Sequence, residues 1–314
     1  MSFALAPINE PLASKLTELP DALLSIPHRR DVPFAQLATL GLGGICKWLF
    51  EPSTEEEAAL FVKTCNVSNV PFHVLGGGSN LLVLSDINDP VMRLALPKEL
   101  SITNSGAFAS ASYGHTALTR DVADLGLSGI EWACGIPGSF GGAIRMNAGA
   151  HGGEWAQFLK KVRFISHNGE VIEKELNSGD FSYRSSFLAK GGVALGGWIA
   201  LAKDDAAQIK RRMSSFLEAR HKSQPSGRSA GSTFKNPPGH SAGALIESAG
   251  LKGARLGNVQ VSSKHANFFI NLGDAEPSDY WELVQLVKSK VLQASGVELE
   301  LEIEVWGIQK SNFC

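Results

Sequence analysis

The 314 residues carry a net charge of −2, with 44% hydrophobic and 19% charged residues. That balance suits a globular chain long enough for two or three domains and lacks the basic field a nucleic-acid binder needs. No stretch reaches the ~18 apolar residues of a membrane span, and MSFALAPINEPL has neither a basic nor a long apolar run, so no export signal is expected. Cys46, Cys65, Cys134 and Cys314 are scattered, with no CxxC pair and no histidine at metal spacing. Free thiols in a reducing cytoplasm, and no metal site, are the expectation.

In chain order, residues 1 to 30 are punctuated by proline, with a short helix expected within PLASKLTELPDALL. GICKWLF (44 to 50) reads as a strand, and EPSTEEEAALFVKTC as a helix capped by Ser53, its glutamates placed at the positive end of the dipole. PFHVL runs as a strand into the loop GGGSN (76 to 80), and NLLVLS continues beyond it. The glycine-dense stretch 126 to 155 is expected to hold tight turns around short elements. VRFIS, VIEKEL and VALGGWIALA read as strands, AAQIKRRMSSFLEARHK as a helix, and QPSGRSAGS as a loop between domains. SAGALIESAGL reads as a helix, VQVS and ANFFIN as strands. PSDYWELVQLVKSKVLQASG is a helix capped by Ser278 or Asp279 and stopped by Gly296, with Leu283, Val284, Val287 and Val291 on one stripe. VELELEIEV (297 to 305) alternates strictly and predicts a strand with one buried face. The mixture is α+β.

Glycine costs conformational entropy, so GGGSN within a hydrophobic stretch marks a tight turn or a close approach to the main chain. No G-x-x-x-x-G-K-[ST] exists for a P-loop. Gly76 and Gly78 supply G-x-G, but Leu81 stands where the third Rossmann glycine belongs and a strand follows instead of a helix. A tight hairpin and a nest of backbone N–H groups for a diphosphate both remain open. A second glycine-rich cluster favours two walls of one nucleotide or dinucleotide site.

Taken together, TLGLGG (39 to 44), LGGGSNLLV (75 to 83), GLSGIEWACGIPGSFGGAIRMNAGA (126 to 150), YRSSF (183 to 187), GSTFKNP (231 to 237), LIESAGLKGARLG (245 to 257), VSSKHANFFIN (261 to 271) and the terminal LELEIEVWG resemble the UDP-N-acetylenolpyruvoylglucosamine reductase family in its own order. The resemblance implies an FAD-binding fold of the vanillyl-alcohol-oxidase type, with two α+β subdomains, plus a separate α+β substrate-binding domain. It divides the chain into 1–48 with 303–314, then 49–205, then 206–302 as the substrate domain. Gly76, Gly77, Gly78, Ser79 and Asn80, with Gly135, Ile136 and Gly138, are then expected along the FAD diphosphate. No histidine interrupts GGGSN, so FAD is expected to be non-covalent, with NADPH as co-substrate. The expected partners are small molecules only: NADPH and UDP-N-acetylglucosamine enolpyruvate. The enzyme is expected to be monomeric and cytoplasmic.

The implied chemistry sends hydride to the vinyl carbon of an enolpyruvyl ether. It requires a cation beside the carboxylate, a proton donor at the α-carbon and an anchor for UDP; such preorganised stabilisation contributes about 3–4 kcal/mol per donor. By resemblance Arg184 polarises the carboxylate and Ser232 donates the proton, with Lys235 and Asn236 near enough in sequence to stabilise its alkoxide. Glu298, Glu300, Glu302 and Glu304 share one strand face, and spacing alone does not choose among them. The family register on Leu299 and Gly307 selects Glu302, whose pKa is expected to be raised by carboxylates roughly 7 Å away and by partial burial. Arg220, Gln224, Lys235 and Asn236 are expected at the UDP end, and His265 and Asn267 as scaffold. Ala38, Leu40, His151 and Asn258-Val259 depart from the family's usual Asn, Phe, Tyr and Gly-Ala, and the tyrosine-bearing substrate loop of one subgroup is absent. Another flavin dehydrogenase of this fold, or a silent flavin- or UDP-sugar-binding paralogue, are the rival readings.

Overall fold

The computed structural model describes residues 19–308. The expected N-terminal helix lies mostly outside them; its described part is one turn, Asp21–Leu24. Two sheets and a helical C-terminal layer carry the architecture. The first sheet orders His28–Pro33, Ile45–Phe50, Val91–Met92 and His73–Val74, antiparallel in its first pair and parallel thereafter. The second is antiparallel: Val171–Glu175, Leu159–Ile165, Val193–Ala200, Gly106–Ser110 and Leu100–Thr103.

Helix Glu55–Val67 covers the first sheet through Ala58, Phe61, Val62 and Cys65, which pack with Phe50, Met92 and Leu195. Its cap is Thr54, not Ser53. The Thr54 hydroxyl accepts the Glu57 amide at 3.2 Å, while the Glu57 carboxylate reaches back to the Ser53 amide at 2.7 Å. With three glutamates in the first turn, one curls back over the helix start and the cap shifts by a residue.

Helix Ala206–Ser223 packs against helix His115–Asp124 and the Glu131–Ala133 turn, with Arg212 on Glu131. Beyond it, Arg255–Leu256, Val259–Val261 and Phe269–Asn271 form a small antiparallel sheet under helices Ala242–Ser248 and Pro277–Ser295. Leu283, Val284, Val287 and Val291 are fully buried there, each stabilising the layer by roughly 1.5–3 kcal/mol. The Pro277–Ser295 helix has no side-chain cap. Pro277 removes one orphan N–H, and the Asp279 carboxylate accepts the Asn258 amide at 3.4 Å instead. Gly296, at φ +71°, ends the helix as expected.

The alternating stretch after it pairs as a strand only over Glu304–Trp306, parallel to Leu81–Val83. Its earlier part hydrogen-bonds to residues 233–235: Lys235 N donates to Glu300 O, and Glu302 N to Thr233 O, both at 2.9 Å. One segment thus serves two partners in turn, which shortens the regular strand. No helix among the described residues is long and apolar enough to cross a membrane.

Candidate active site

The two glycine loops meet. A Cβ on Gly77 would sit 2.5 Å from Gly138 Cα, and one on Gly78 (φ +64°) 2.1 Å from Leu37 O. The amides of Gly76, Gly77, Gly78, Ser79, Asn80, Gly138 and Ser139 donate to no acceptor among the described residues. Unpaired N–H groups on a main-chain surface free of side chains form an anion cradle. Along it opens a cavity of about 440 Å³, within the range of small-molecule sites. Ile136 also lines it, whereas Gly135 does not: at φ +76° it packs against Leu217 and Arg220 of helix Ala206–Ser223.

Arg184, Ser232 and Glu302, from three distant stretches, line the same cavity. Arg184 sits at the tip of the hairpin joining Phe181–Ser182 to Ser185–Ser186, at φ +57°. That conformation costs a non-glycine residue roughly 1–2 kcal/mol. Its Nε donates to Glu302 Oε1 at 2.9 Å, its Nη2 to Gly149 O at 3.2 Å, and its guanidinium lies 4.8 Å from the Tyr183 ring centroid. Ser232 bridges to Phe268, and Asn267 pins the next turn of chain: Thr233 N donates to Asn267 O, and the Asn267 side chain bonds both the N–H and the C=O of Phe234. Among the described residues no group hydrogen-bonds the Ser232 hydroxyl.

Burial raises the Glu302 pKa, opposed by Arg184 and Lys235. The neighbouring carboxylates are not the cause: Glu298 and Glu300 are 77% exposed. Lys235 pairs with Glu300 at 3.4 Å, and the Asn236 side chain accepts the Ala242 amide at 3.0 Å. Neither residue lines the cavity or bonds Ser232, because residues 233–236 run away from it along the Glu300–Glu302 segment. Arg220 and Gln224 do line it. Burial lowers the Arg220 pKa, and among the described residues no carboxylate pairs with it.

Arg145, Glu304 and Trp306, which sequence reasoning did not single out, line the same cavity. Arg145 pairs with Glu304 at 3.3 Å, and Trp306 Nε1 donates to the same carboxylate at 3.2 Å. The period-two spacing of 302, 304 and 306 was a usable signal, since one strand face turned toward a cavity carries all three. Behind the second loop, the His115 amide donates to Gly138 O at 2.9 Å while its Nε2 accepts Trp155 Nε1 at 3.0 Å; burial pushes its pKa down to about 4. Of the departures, Leu40 is fully buried in the C-terminal core and Ala38 lies against Gly78, while His151 lines the cavity at φ +52°, its ring 4.9 Å from Phe216.

An FAD-binding domain model matches residues 47–175, and the model of the UDP-N-acetylenolpyruvoylglucosamine reductase C-terminal domain matches residues 223–306. The reductase of Shouchella clausii is 41% identical over 266 residues, covering 83% of this chain and 85% of that one. That of Carboxydothermus hydrogenoformans is 39% identical over 298 residues, 94% of this chain and 99% of its own. The crystal structure of the Thermus caldophilus enzyme superposes with a TM-score of 0.78 at 38% identity, covering 90% of this chain and all of that one. Paired glycine loops with unused amides fit a diphosphate such as that of FAD, and the class is an FAD-dependent oxidoreductase. The C-terminal match over residues 223–306 narrows this further. The chain belongs to the UDP-N-acetylenolpyruvoylglucosamine reductase family.

Proposed function

We propose that the chain reduces UDP-N-acetylglucosamine enolpyruvate to UDP-N-acetylmuramate with NADPH, Arg184, Ser232 and Glu302 being its catalytic residues. The observation that carries the reading is their convergence, from positions 184, 232 and 302, on one cavity shared with both glycine loops. Gly76 to Asn80 and Gly138 hold the FAD diphosphate through bare amides, with Ile136 lining the same cavity. Bound there, FAD would supply the hydride carrier between NADPH and the vinyl carbon of the enolpyruvyl ether.

Arg184 takes the substrate carboxylate, where negative charge gathers as the double bond is reduced. Ser232, whose hydroxyl has no partner among the described residues, donates its proton to the α-carbon. Glu302, in its protonated form, hydrogen-bonds the developing enolate. Arg220 is a buried cation without a carboxylate partner, and with Gln224 it meets the substrate diphosphate. Lys235 and Asn236 act beyond the rim, as electrostatic support for Glu302 and as a helix anchor. The reading also keeps the division into 1–48 with 303–314, 49–205 and 206–302, and a monomer in a reducing cytoplasm, where Cys46, Cys65 and Cys134 stay free and buried.

Rapid mixing of Ser232→Ala, followed at the flavin absorbance, tests this. Flavin reduction by NADPH is expected to match wild type, while reoxidation by the enolpyruvyl substrate slows by about 10²–10⁴-fold. Equal slowing of both halves would refute the proton-donor role.

A further inference from the structure

Glu302 already occupies the place on Arg184 that the proposed reaction gives to a ligand carboxylate. The Arg184 Nε–Glu302 contact is 2.9 Å long, and the two side chains are only 19% and 16% exposed. On the same side of the guanidinium, Nη2 donates to Gly149 O at 3.2 Å, and the Tyr183 ring lies 4.8 Å from its centre. We infer that a carboxylate ligand binds by exchange: it displaces Glu302 from Arg184, and Glu302 takes a proton from water as it leaves. The inference rests on the reaction proposed above and adds a linkage that the reaction itself does not require.

Charge balance carries the argument. Two ionised carboxylates beside one half-buried guanidinium leave a net negative charge in a site partly withdrawn from water, and one of the two then holds a proton. The groups facing Glu302 decide which. Arg184 approaches from the hairpin, and Lys235 from the 232–235 segment, itself engaged with Glu300. Along its own strand the next carboxylate, Glu304, is held by Arg145 and Trp306. Once Arg184 is transferred to the ligand, burial is opposed by Lys235 alone, and burial already raises the Glu302 pKa with Arg184 in place. The proton therefore settles on Glu302, which leaves it in the acid form its catalytic role needs.

The sign follows directly. Below the Glu302 titration the proton is already present and binding is independent of pH. Above it, each complex must recruit one, and the dissociation constant rises about tenfold per pH unit. Calorimetric titration of the FAD-loaded enzyme with UDP-N-acetylmuramate, in buffers of different ionisation enthalpy, reads the proton count. UDP-N-acetylglucosamine, without a carboxylate, is the comparison. Uptake approaching one proton with the first ligand and none with the second is expected. Glu302→Gln is expected to bind UDP-N-acetylmuramate with no uptake and no pH slope, its flavin spectrum reporting an intact fold. Binding of UDP-N-acetylmuramate without uptake, or uptake that persists in Glu302→Gln, overturns the exchange and leaves the proposed reaction standing. Failure of both UDP-sugars to bind overturns the reaction, and the exchange with it.

Discussion

Gly77→Ala tests the cradle with the smallest possible change. The added methyl would lie 2.5 Å from Gly138 Cα, 2.8 Å from Gly138 C and 2.9 Å from Ser139 N, all main-chain atoms without a rotamer to escape into. Carbon atoms rest ~3.5–4.0 Å apart, so the loops must separate by roughly 1 Å. Overpacking of this kind costs about 1–3 kcal/mol, which lowers FAD affinity by about 5- to 150-fold if the diphosphate bridges the loops. Residue 77 has no positive φ, so alanine adds no backbone strain of its own. Gly250→Ala is the control: φ is +73°, with nothing within 4 Å of the added carbon, so it costs stability by strain alone, roughly 1–2 kcal/mol, and leaves flavin binding untouched. Reconstitution of apoprotein, monitored by quenching of flavin fluorescence, gives both affinities. Wild-type affinity in Gly77→Ala would refute the claim that the diphosphate lies across these two loops.

His115, with its pKa pushed from 6.5 to about 4 by burial, makes the fold sensitive to acid. The unfolded chain binds the proton first, so up to about 3 kcal/mol of stability is lost as pH falls from 6.5 toward 4. Urea melts of wild type and His115→Gln across that window should show the slope diminished in the variant; an unchanged slope would remove His115 as its source. Thr54→Ala is expected to cost about 1 kcal/mol through the lost cap, and Ser53→Ala, whose amide still reaches Glu57, distinctly less; thermal melts that rank them the other way would restore Ser53 as the cap.

Element type was legible wherever one periodicity ruled. Leu283, Val284, Val287 and Val291 announced their helix and its buried face, and Gly296 its end. Strand His28–Pro33 was missed because its neighbour conceals its purpose: HRRDVP has little apolar character, and Ile45–Phe50 recruits it through the backbone. In the site, glycine spacing alone marked two loops but not their contact, which depends on residues 77 and 138 meeting in space. Four evenly spaced glutamates looked alike until the Phe234–Leu301 bridge and the pairing of 304–306 with Leu81–Val83 left 298 and 300 in solvent and drew 302 inward. Lys235 and Asn236 misled by proximity along the chain. Three residues after Ser232 an extended chain is ~10 Å away, and there it faces other partners.

The pairing of Glu304–Trp306 with Leu81–Val83 also sets a schedule. Asn80 donates to Glu302 O at 2.9 Å across a separation of 222 residues, and accepts from Glu304 N at the same distance. A ribosome that has finished both glycine loops has therefore made a cradle with one wall missing. A cavity with every wall in place forms only once residues 302–306 have been made and have joined Leu81–Val83.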